Sequence, residues 1–571
     1  MKKWLSSWLF SVGCSVLFLV SCSKDKDSAI APELIVSTEK LTFSNAGETK
    51  TFHVKSNTAW SLSSSESWLS FSVNKGESGT TKVELTVAEN ANITDRNAAV
   101  MVTAADLTKR IDVLQSAAVL FTVEKNDYIL DKNAQEIELK IETNQPYTVE
   151  LSADWVARKG NPVVSGNKHT ETFTIKRNGN IFDRAAIITL KKGNESLVVN
   201  VNQAKNPLNI AANTEGVAAA AVALSQKMKV GWNLGNALEA VASSTSANET
   251  LWGNPKTTKA LIDAVKAAGF NAVRIPCAWS GYIEDQTTYK IKDSWLERVK
   301  EVVDYCVSND MYAIINIHWD GGWLEEKPLY SEQEAVNKKQ KALWEQIAVY
   351  FRDYDEHLLF AGTNEVHADY GTPTLEHITV QMSYNQTFVN AVRSTGGRNA
   401  YRNLVVQAYN TNIQQAVNYL VMPTDNVSKR LMAEVHFYDP YEFALDHSSN
   451  KYLWGSEFAG SANVANWGQE AWVDSQFESV KTKFINNEIP VILGEYAATL
   501  RLSLPAAELE KHKKSRVNYL GYVNASAKRN GLIPFYWDSG HTGDNGSGLF
   551  DRNKAIPFYQ DAIDAIVAPF K

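Results

Sequence analysis

Between residue 229 and the C-terminus the chain repeats one pattern, a short apolar run followed by a longer amphipathic segment. The apolar runs are 229–235, 272–279, 312–318, 358–365, 404–408, 431–438, 490–496 and 533–537. Runs of this length, each followed by a helical stretch, describe strands covered on both faces and joined by helical crossovers, hence a parallel sheet. Segments 255–266, stopped by Gly269, and 293–307 have the helical spacing. Eight βα units within residues 207–571 predict an α/β (β/α)8 TIM barrel.

A barrel of this kind concentrates its chemistry at the C-terminal ends of its strands. Polar residues collect there in this sequence. Arg274 and Trp279 lie on the second run, His318 ends the third, Asn364 and Glu365 end the fourth, His436 and Tyr438 end the sixth, Glu495 is near the end of the seventh, and Trp537 ends the eighth. Glu365 and Glu495 would face each other across one mouth. Hydrolysis of a sugar acetal needs two carboxyl groups, one to protonate the departing oxygen and one to attack or stabilise an oxocarbenium-like centre, so the pair implies a glycosidase. Two histidines could suggest zinc, but no third ligand stands at metal-site spacing, and no metal or other cofactor is expected.

Residues 34–205 contain one unit written twice. Asn57 and Trp60 recur as Asn144 and Tyr147, Trp68 as Trp155, Asp95 and Arg96 as Asp183 and Arg184, and Gln115 as Gln203. Alternating strands separated by Asn, Gly and Ser turns predict two immunoglobulin-like β-sandwiches, 34–117 and 118–206. These units resemble BACON domains, whose name proposes carbohydrate binding. Trp68 and Trp155 lie in strand-like contexts that suit a core role, so the expected task is that of a spacer.

A net charge of −7 and the lack of a basic stripe in the sequence argue against nucleic acid as a partner. Neither a Gly-x-Ser-x-Gly elbow nor a Walker loop is present. Sixteen tryptophans exceed what a core requires, and Trp279, Trp319, Trp323, Trp454 and Trp467 are candidate platforms for sugars. At the N-terminus, Lys2 and Lys3 precede an apolar run too short to span a bilayer. The segment ending at Cys22 resembles a bacterial lipobox, so residues 1–22 read as a lipoprotein signal with Cys22 as the acylated residue. The charged stretch in the tether, 23–33, is similar to the surface-export signal of Bacteroidetes lipoproteins. The expectation is a monomer on the outer face of the outer membrane, held by lipid chains. Cys277 and Cys306 fall on a strand and a helix, so two separate buried thiols are expected, a single bridge being the alternative.

The C-terminal half resembles glycoside hydrolase family 5. The matching positions are Arg274, His318, Asn364, Glu365, His436, Tyr438, Glu495 and Trp537, and the runs from Gly231, Trp252 and Asn316 further resemble its bacterial endo-glucanase branch. Val366 and Ala497 depart from the family pattern. The resemblance implies a retaining endo-β-1,4-glucanase in which Glu365 is the acid/base and Glu495 the nucleophile. It also implies that Arg274 and Tyr438 keep Glu495 ionised, that Asn364 bonds the sugar 2-hydroxyl and that Trp537 forms the floor. The acid/base should have a raised pKa and the nucleophile a lowered one. Xyloglucan, mixed-linkage glucan and mannan are alternative substrates, and a catalytically silent surface glycan-binding protein is the alternative of another class.

Overall fold

The computed structural model describes residues 30–571. The proposed signal and most of the tether, with Cys22, lie outside the described residues. Among the described residues no helix is long and apolar enough to cross a membrane.

Eight parallel strands close into a barrel in sequence order. They are β1 (Gly231–Leu234), β2 (Ala272–Ile275), β3 (Tyr312–Asn316), β4 (Leu358–Ala361), β5 (Leu404–Asn412), β6 (Leu431–Phe437), β7 (Val491–Tyr496) and β8 (Leu532–Asp538). One main helix follows each strand: α1 (Lys259–Ala267), α2 (Asp293–Val307), α3 (Tyr330–Tyr350), α4 (Leu375–Ser394), α5 (Ile413–Tyr419), α6 (Glu470–Lys483), α7 (Ala506–Asn530) and α8 (Gln560–Val567). The expected barrel is therefore present. Helix α1 starts later than its sequence pattern, because Thr258 is extended and caps the helix by accepting from the Leu261 N–H at 3.3 Å.

Successive strand residues face opposite ways, and the barrel uses both faces. Val273, Ile275, Ala313, Ile315, Leu358 and Phe360 join the helices in the outer core. Ala272, Ile314, Leu359, Val405, Met432, Ile492, Ile533 and Phe535 fill the interior with a separate apolar cluster. Cys306 packs in the outer core on α2, and Cys277 lies just beyond β2; both are buried and free.

The chain forms two compact units. One runs through Asn126 and includes Glu136–Thr174 and Ile188–Val199; the other comprises Asp127–Gln135, Ile175–Ile187 and Asn200–Lys571. The first sandwich pairs a sheet ordered 34–36, 49–56, 79–87, 69–71 with a second ordered 40–43, 107–115, 96–104, 60–64, 75–76. The repeated polar residues explain themselves as clamps. Arg96 Nε donates to Gln115 Oε1 at 2.8 Å, Arg96 Nη2 donates to the Ala88 carbonyl at 2.7 Å, and Asp95 accepts from the Ala117 N–H at 2.7 Å. In the repeat, Arg184 Nε donates to Gln203 at 2.9 Å, Nη2 to the Lys176 carbonyl at 2.7 Å, and Asp183 accepts from the Lys205 N–H at 2.8 Å. Trp68 packs partly buried on the first core with Arg96 over its ring at 4.3 Å, and Trp155 is buried. Neither indole face is open as a sugar platform.

Candidate active site

Moving along the barrel interior toward the strand C-termini, side chains change from apolar to polar. On β6 the same face carries Met432, then Glu434, then His436, with Tyr438 one residue past the strand. Asn233 on β1, Arg274 on β2 and Gln407 on β5 are likewise fully buried. Such groups persist there only because they satisfy one another.

Arg274 is the hub. Its Nη1 donates to Glu495 Oε1 at 2.8 Å and to Asn233 Oδ1 at 3.0 Å, and its Nη2 donates to Asn364 Oδ1 at 2.8 Å. Its Nε stands 3.0 Å from Glu434 Oε1, an ion-pair contact outside hydrogen-bond alignment. Glu434 also accepts from Gln407 Nε2 at 2.6 Å and lies 3.2 Å from His436 Nε2. Burial opposes the charge on Glu434, but Arg274 and His436 hold its carboxyl below the ordinary value.

Glu495 reaches this network through a β-bulge. The β6–β7 register runs Val435 to Leu493 and then His436 to Glu495, skipping Gly494. Leu493 faces the outer core, and the extra residue turns Glu495 into the barrel. Gly494 is required there, since a Cβ would stand 2.1 Å from Glu434 Oε1. Tyr438 donates its hydroxyl to Glu495 Oε2 at 2.9 Å.

Strand β4 ends at Ala361, earlier than its apolar run; the Gly362 N–H still donates to the Val405 carbonyl of β5 at 3.0 Å, and Thr363–Glu365 leaves the ladder. Gln407 Oε1 replaces the lost carbonyl partner by accepting from the Thr363 N–H at 2.9 Å. This segment brings Asn364 and Glu365 over the mouth. A carboxylate oxygen of each of Glu365 and Glu495, and a ring nitrogen of His436, lie within 4.8 Å of one another. His436 Nδ1 is 2.6 Å from Glu365 Oε1 and 3.7 Å from Glu495 Oε2. These three side chains could bracket an ion by distance, but Arg274, Tyr438 and His436 already supply donors to both carboxylates.

Burial disfavours the His436 cation, yet Glu495, Glu365 and Glu434 around it push its pKa up to about 10. That reverses the expected charge pattern of the pair. Burial would raise Glu365, but bonded His436 together with Arg274 hold it below its ordinary value. Burial raises Glu495 above its ordinary value, against the pull of His436, Arg274 and Tyr438. The expectation of a raised Glu365 and a lowered Glu495 is corrected for the unliganded site, because it left out the imidazolium beside Glu365.

His318 lies two residues past β3, and its ring stacks on Trp537 at 5.6 Å with an interplanar angle of 11°. Burial, Arg274 and His436 keep it neutral by pulling its pKa well below the ordinary value. All eight barrel positions singled out in the sequence therefore meet at one mouth. Trp279 and Trp454 do not join them: both are buried, donating to the Asn316 and Gly468 carbonyls, and are corrected to core residues. Trp319 and Trp323 are half-buried and Trp467 is exposed, although Lys339 sits over the Trp323 ring at 4.1 Å. Sequence reasoning missed Asn233, Gln407 and Glu434, although the two-residue spacing of Glu434, His436 and Tyr438 marked one strand face.

Residues 235–543 match the family described as cellulase (glycosyl hydrolase family 5), and residues 33–118 match a viral BACON domain. A xyloglucan-specific endo-β-1,4-glucanase of Bacteroides ovatus is 41% identical over 453 residues, 76% of this chain and 88% of that protein. Endoglucanase A of Paenibacillus barcinonensis is 39% identical over 364 residues, 61% of this chain and 89% of its own. The solved Bacteroides ovatus GH5 xyloglucanase in complex with an XXXG heptasaccharide superposes with a TM-score of 0.61 at 36% identity, covering 94% of this chain and 99% of that one. With the two glutamates and their donors at the mouth of an eight-stranded barrel, the chain belongs to glycosyl hydrolase family 5.

Proposed function

We propose that the protein is a retaining endo-β-1,4-glucanase with Glu495 as nucleophile and Glu365 as acid/base. The observation that carries this reading is the proximity of the two carboxylates, with nearest oxygens within 4.8 Å. A retaining pair needs roughly 5–5.5 Å between carboxyl groups, whereas an inverting pair leaves room for a water at roughly 6.5–9.5 Å.

Glu495 is held by Arg274 and Tyr438, which orient one carboxylate oxygen each and leave its lone pairs pointed at a defined position. It attacks the anomeric carbon as the glycosidic C–O bond breaks. The departing oxygen takes a proton from Glu365. That proton is already in the site: His436 and Glu365 share one across 2.6 Å, and passing it from Nδ1 to Glu365 leaves His436 as the neutral imidazole that keeps its Nε2–H and donates it toward Glu434 Oε1. Glu495, while ionised, favours the proton on Glu365 by like-charge repulsion. Once Glu495 is esterified, Glu365 removes a proton from water, which attacks the anomeric carbon and releases Glu495. Asn364 has an amide proton to offer the 2-hydroxyl, a bond that strengthens in the transition state, and the stacked His318–Trp537 pair floors the reacting sugar.

Within β-1,4-glucans, xyloglucan is the substrate favoured by likeness to the Bacteroides ovatus enzyme, which extends over 88% of that protein's length. Reducing ends released from xyloglucan, a soluble cellulose derivative, mixed-linkage glucan and mannan test both levels. Binding without new reducing ends on any of them would overturn the enzyme reading in favour of a silent glycan-binding protein. Faster hydrolysis of mannan than of every glucan would overturn the substrate class.

The lipobox-like run ending at Cys22 and the charged stretch that follows it support a lipid-anchored protein exposed on the outer face of the outer membrane. Fractionation checks the anchor: Cys22→Ser should move the protein to the soluble fraction, and continued membrane association would refute it.

A further inference from the structure

A fourth glutamate stands behind Asn364 and the acid/base, and the mechanism above does not use it. Glu325 lies on the loop after β3, is 5% exposed, and accepts two hydrogen bonds on one oxygen. Asn364 Nδ2 donates to its Oε2 at 3.0 Å, and the Glu365 backbone N–H donates to the same atom at 3.1 Å. The Glu325 carbonyl accepts from the His367 N–H at 2.8 Å, so the loop is stitched to both sides of Glu365. Its neighbour Leu324 packs in a small apolar cluster with Val366, Val336, Val380 and Tyr384, which pins the loop to the residue after the acid/base.

The bonds define Asn364 from both ends. Arg274 can only donate, so the side-chain oxygen of Asn364 faces it; Glu325 accepts, so the nitrogen faces Glu325. One amide proton is consumed by Glu325 and the other stays uncommitted. Since β4 ends at Ala361, no strand ladder fixes the Glu365 peptide, and the Glu325 carboxyl takes the place of a ladder carbonyl. Burial and the neighbouring Glu365 push the Glu325 carboxyl up to about 8, which Oε2 tolerates in either protonation state because a carboxylic acid keeps an acceptor oxygen.

We propose that Glu325 is a positioning residue of the reaction: through its Oε2 it sets the plane of the Asn364 amide that meets the sugar 2-hydroxyl, and the backbone that carries Glu365. This rests on the Asn364 role given under Proposed function.

The test uses 2,4-dinitrophenyl β-cellobioside and its analogue lacking the 2-hydroxyl on the sugar that bears the leaving group. Dinitrophenolate departs without protonation, so kcat/KM reads glycosylation free of any change in Glu365 acidity. Glu325→Leu should lower kcat/KM about 10²-fold on the parent, the scale of losing one donor aimed at developing charge. On the 2-deoxy analogue it should change kcat/KM by less than about threefold, since the misplaced amide then has nothing to bind. Glu325→Gln should restore the parent rate to within about threefold, because one amide oxygen can accept both N–H groups. Glu325→Asp, a carboxylate set back by one methylene, should show the same selective loss as Leu if the Leu variant does not fold. Equal losses on both substrates, or no loss on either, would overturn the proposal. Asn364→Ala separates the two levels. If its loss is selective for the parent while those of the Glu325 variants are not, only the Glu325 role fails; if its own loss is equal on both substrates, the 2-hydroxyl reading fails and takes this proposal with it.

Discussion

The two ends of the barrel interior are built from the same strands, on the same two-residue period except where the bulge at Gly494 turns Glu495 inward, yet they hold opposite contents. At the N-terminal end Ala272, Ile314, Leu359, Val405, Met432, Ile492 and Ile533 close an apolar plug. At the C-terminal end Asn233, Arg274, Gln407 and Glu434 are fully buried and His436 and Glu495 nearly so, but they carry charge and hydrogen bonds. The plug contributes stability through area removed from water and through packing. The mouth gathers carboxylates that repel one another around Arg274 and His436, an arrangement that favours chemistry over stability. Function is thus placed at one end of a scaffold whose other end holds it shut.

Variants at the two ends should separate activity from stability. The largest effect is expected from Glu495→Gln: kcat on soluble glucans should fall at least about 10⁴-fold while the melting temperature holds or rises, because the repulsion between Glu495 and Glu365 is removed and the amide oxygen still accepts from Arg274. Unchanged kcat would refute the nucleophile assignment. Glu434→Leu comes next, leaving the buried Arg274 without one of its carboxylates and His436 without its Nε2 partner. A loss of about 3–5 kcal/mol in denaturant unfolding is expected, together with lost activity. Met432→Ala in the plug should cost about 2–5 kcal/mol with kcat of the folded protein unchanged, showing that the plug does no chemistry. A kcat loss there as deep as that of Glu495→Gln would erase the distinction between the ends.

The smallest effect is a shift in pH. In the wild type, the shared proton stays with the His436–Glu365 pair until the pH rises toward the His436 value of about 10. In His436→Gln only Glu365 can hold it, so the alkaline limb of kcat/KM should move at least about one unit toward lower pH. An unmoved limb would place the proton elsewhere.

The apolar runs mark the strands because burial on both faces leaves no polar alternation, and Glu365 and Glu495 are visible as acids closing such runs. Their surroundings are not. Glu495 has the strand parity of an outward residue until the bulge at Gly494 turns it, and a bulge is a matter of pairing with β6. Trp279 and Trp454 look like their exposed counterparts in sequence and differ only in what packs over them. The repeated Asp-Arg and Gln positions of the sandwiches signalled recurrence, but their clamp role depends on carbonyls just past the ends of other strands.

What the sequence determined by itself was the βα alternation, the doubled sandwich and the identity of the residues at the strand ends, because each follows from local periodicity and residue type. What only the tertiary structure decided was the electrostatics: which carboxyl sits on His436, which on Arg274, and that Glu325 backs Asn364. These are interactions between residues tens to hundreds of positions apart, and desolvation and charge act through space rather than along the chain.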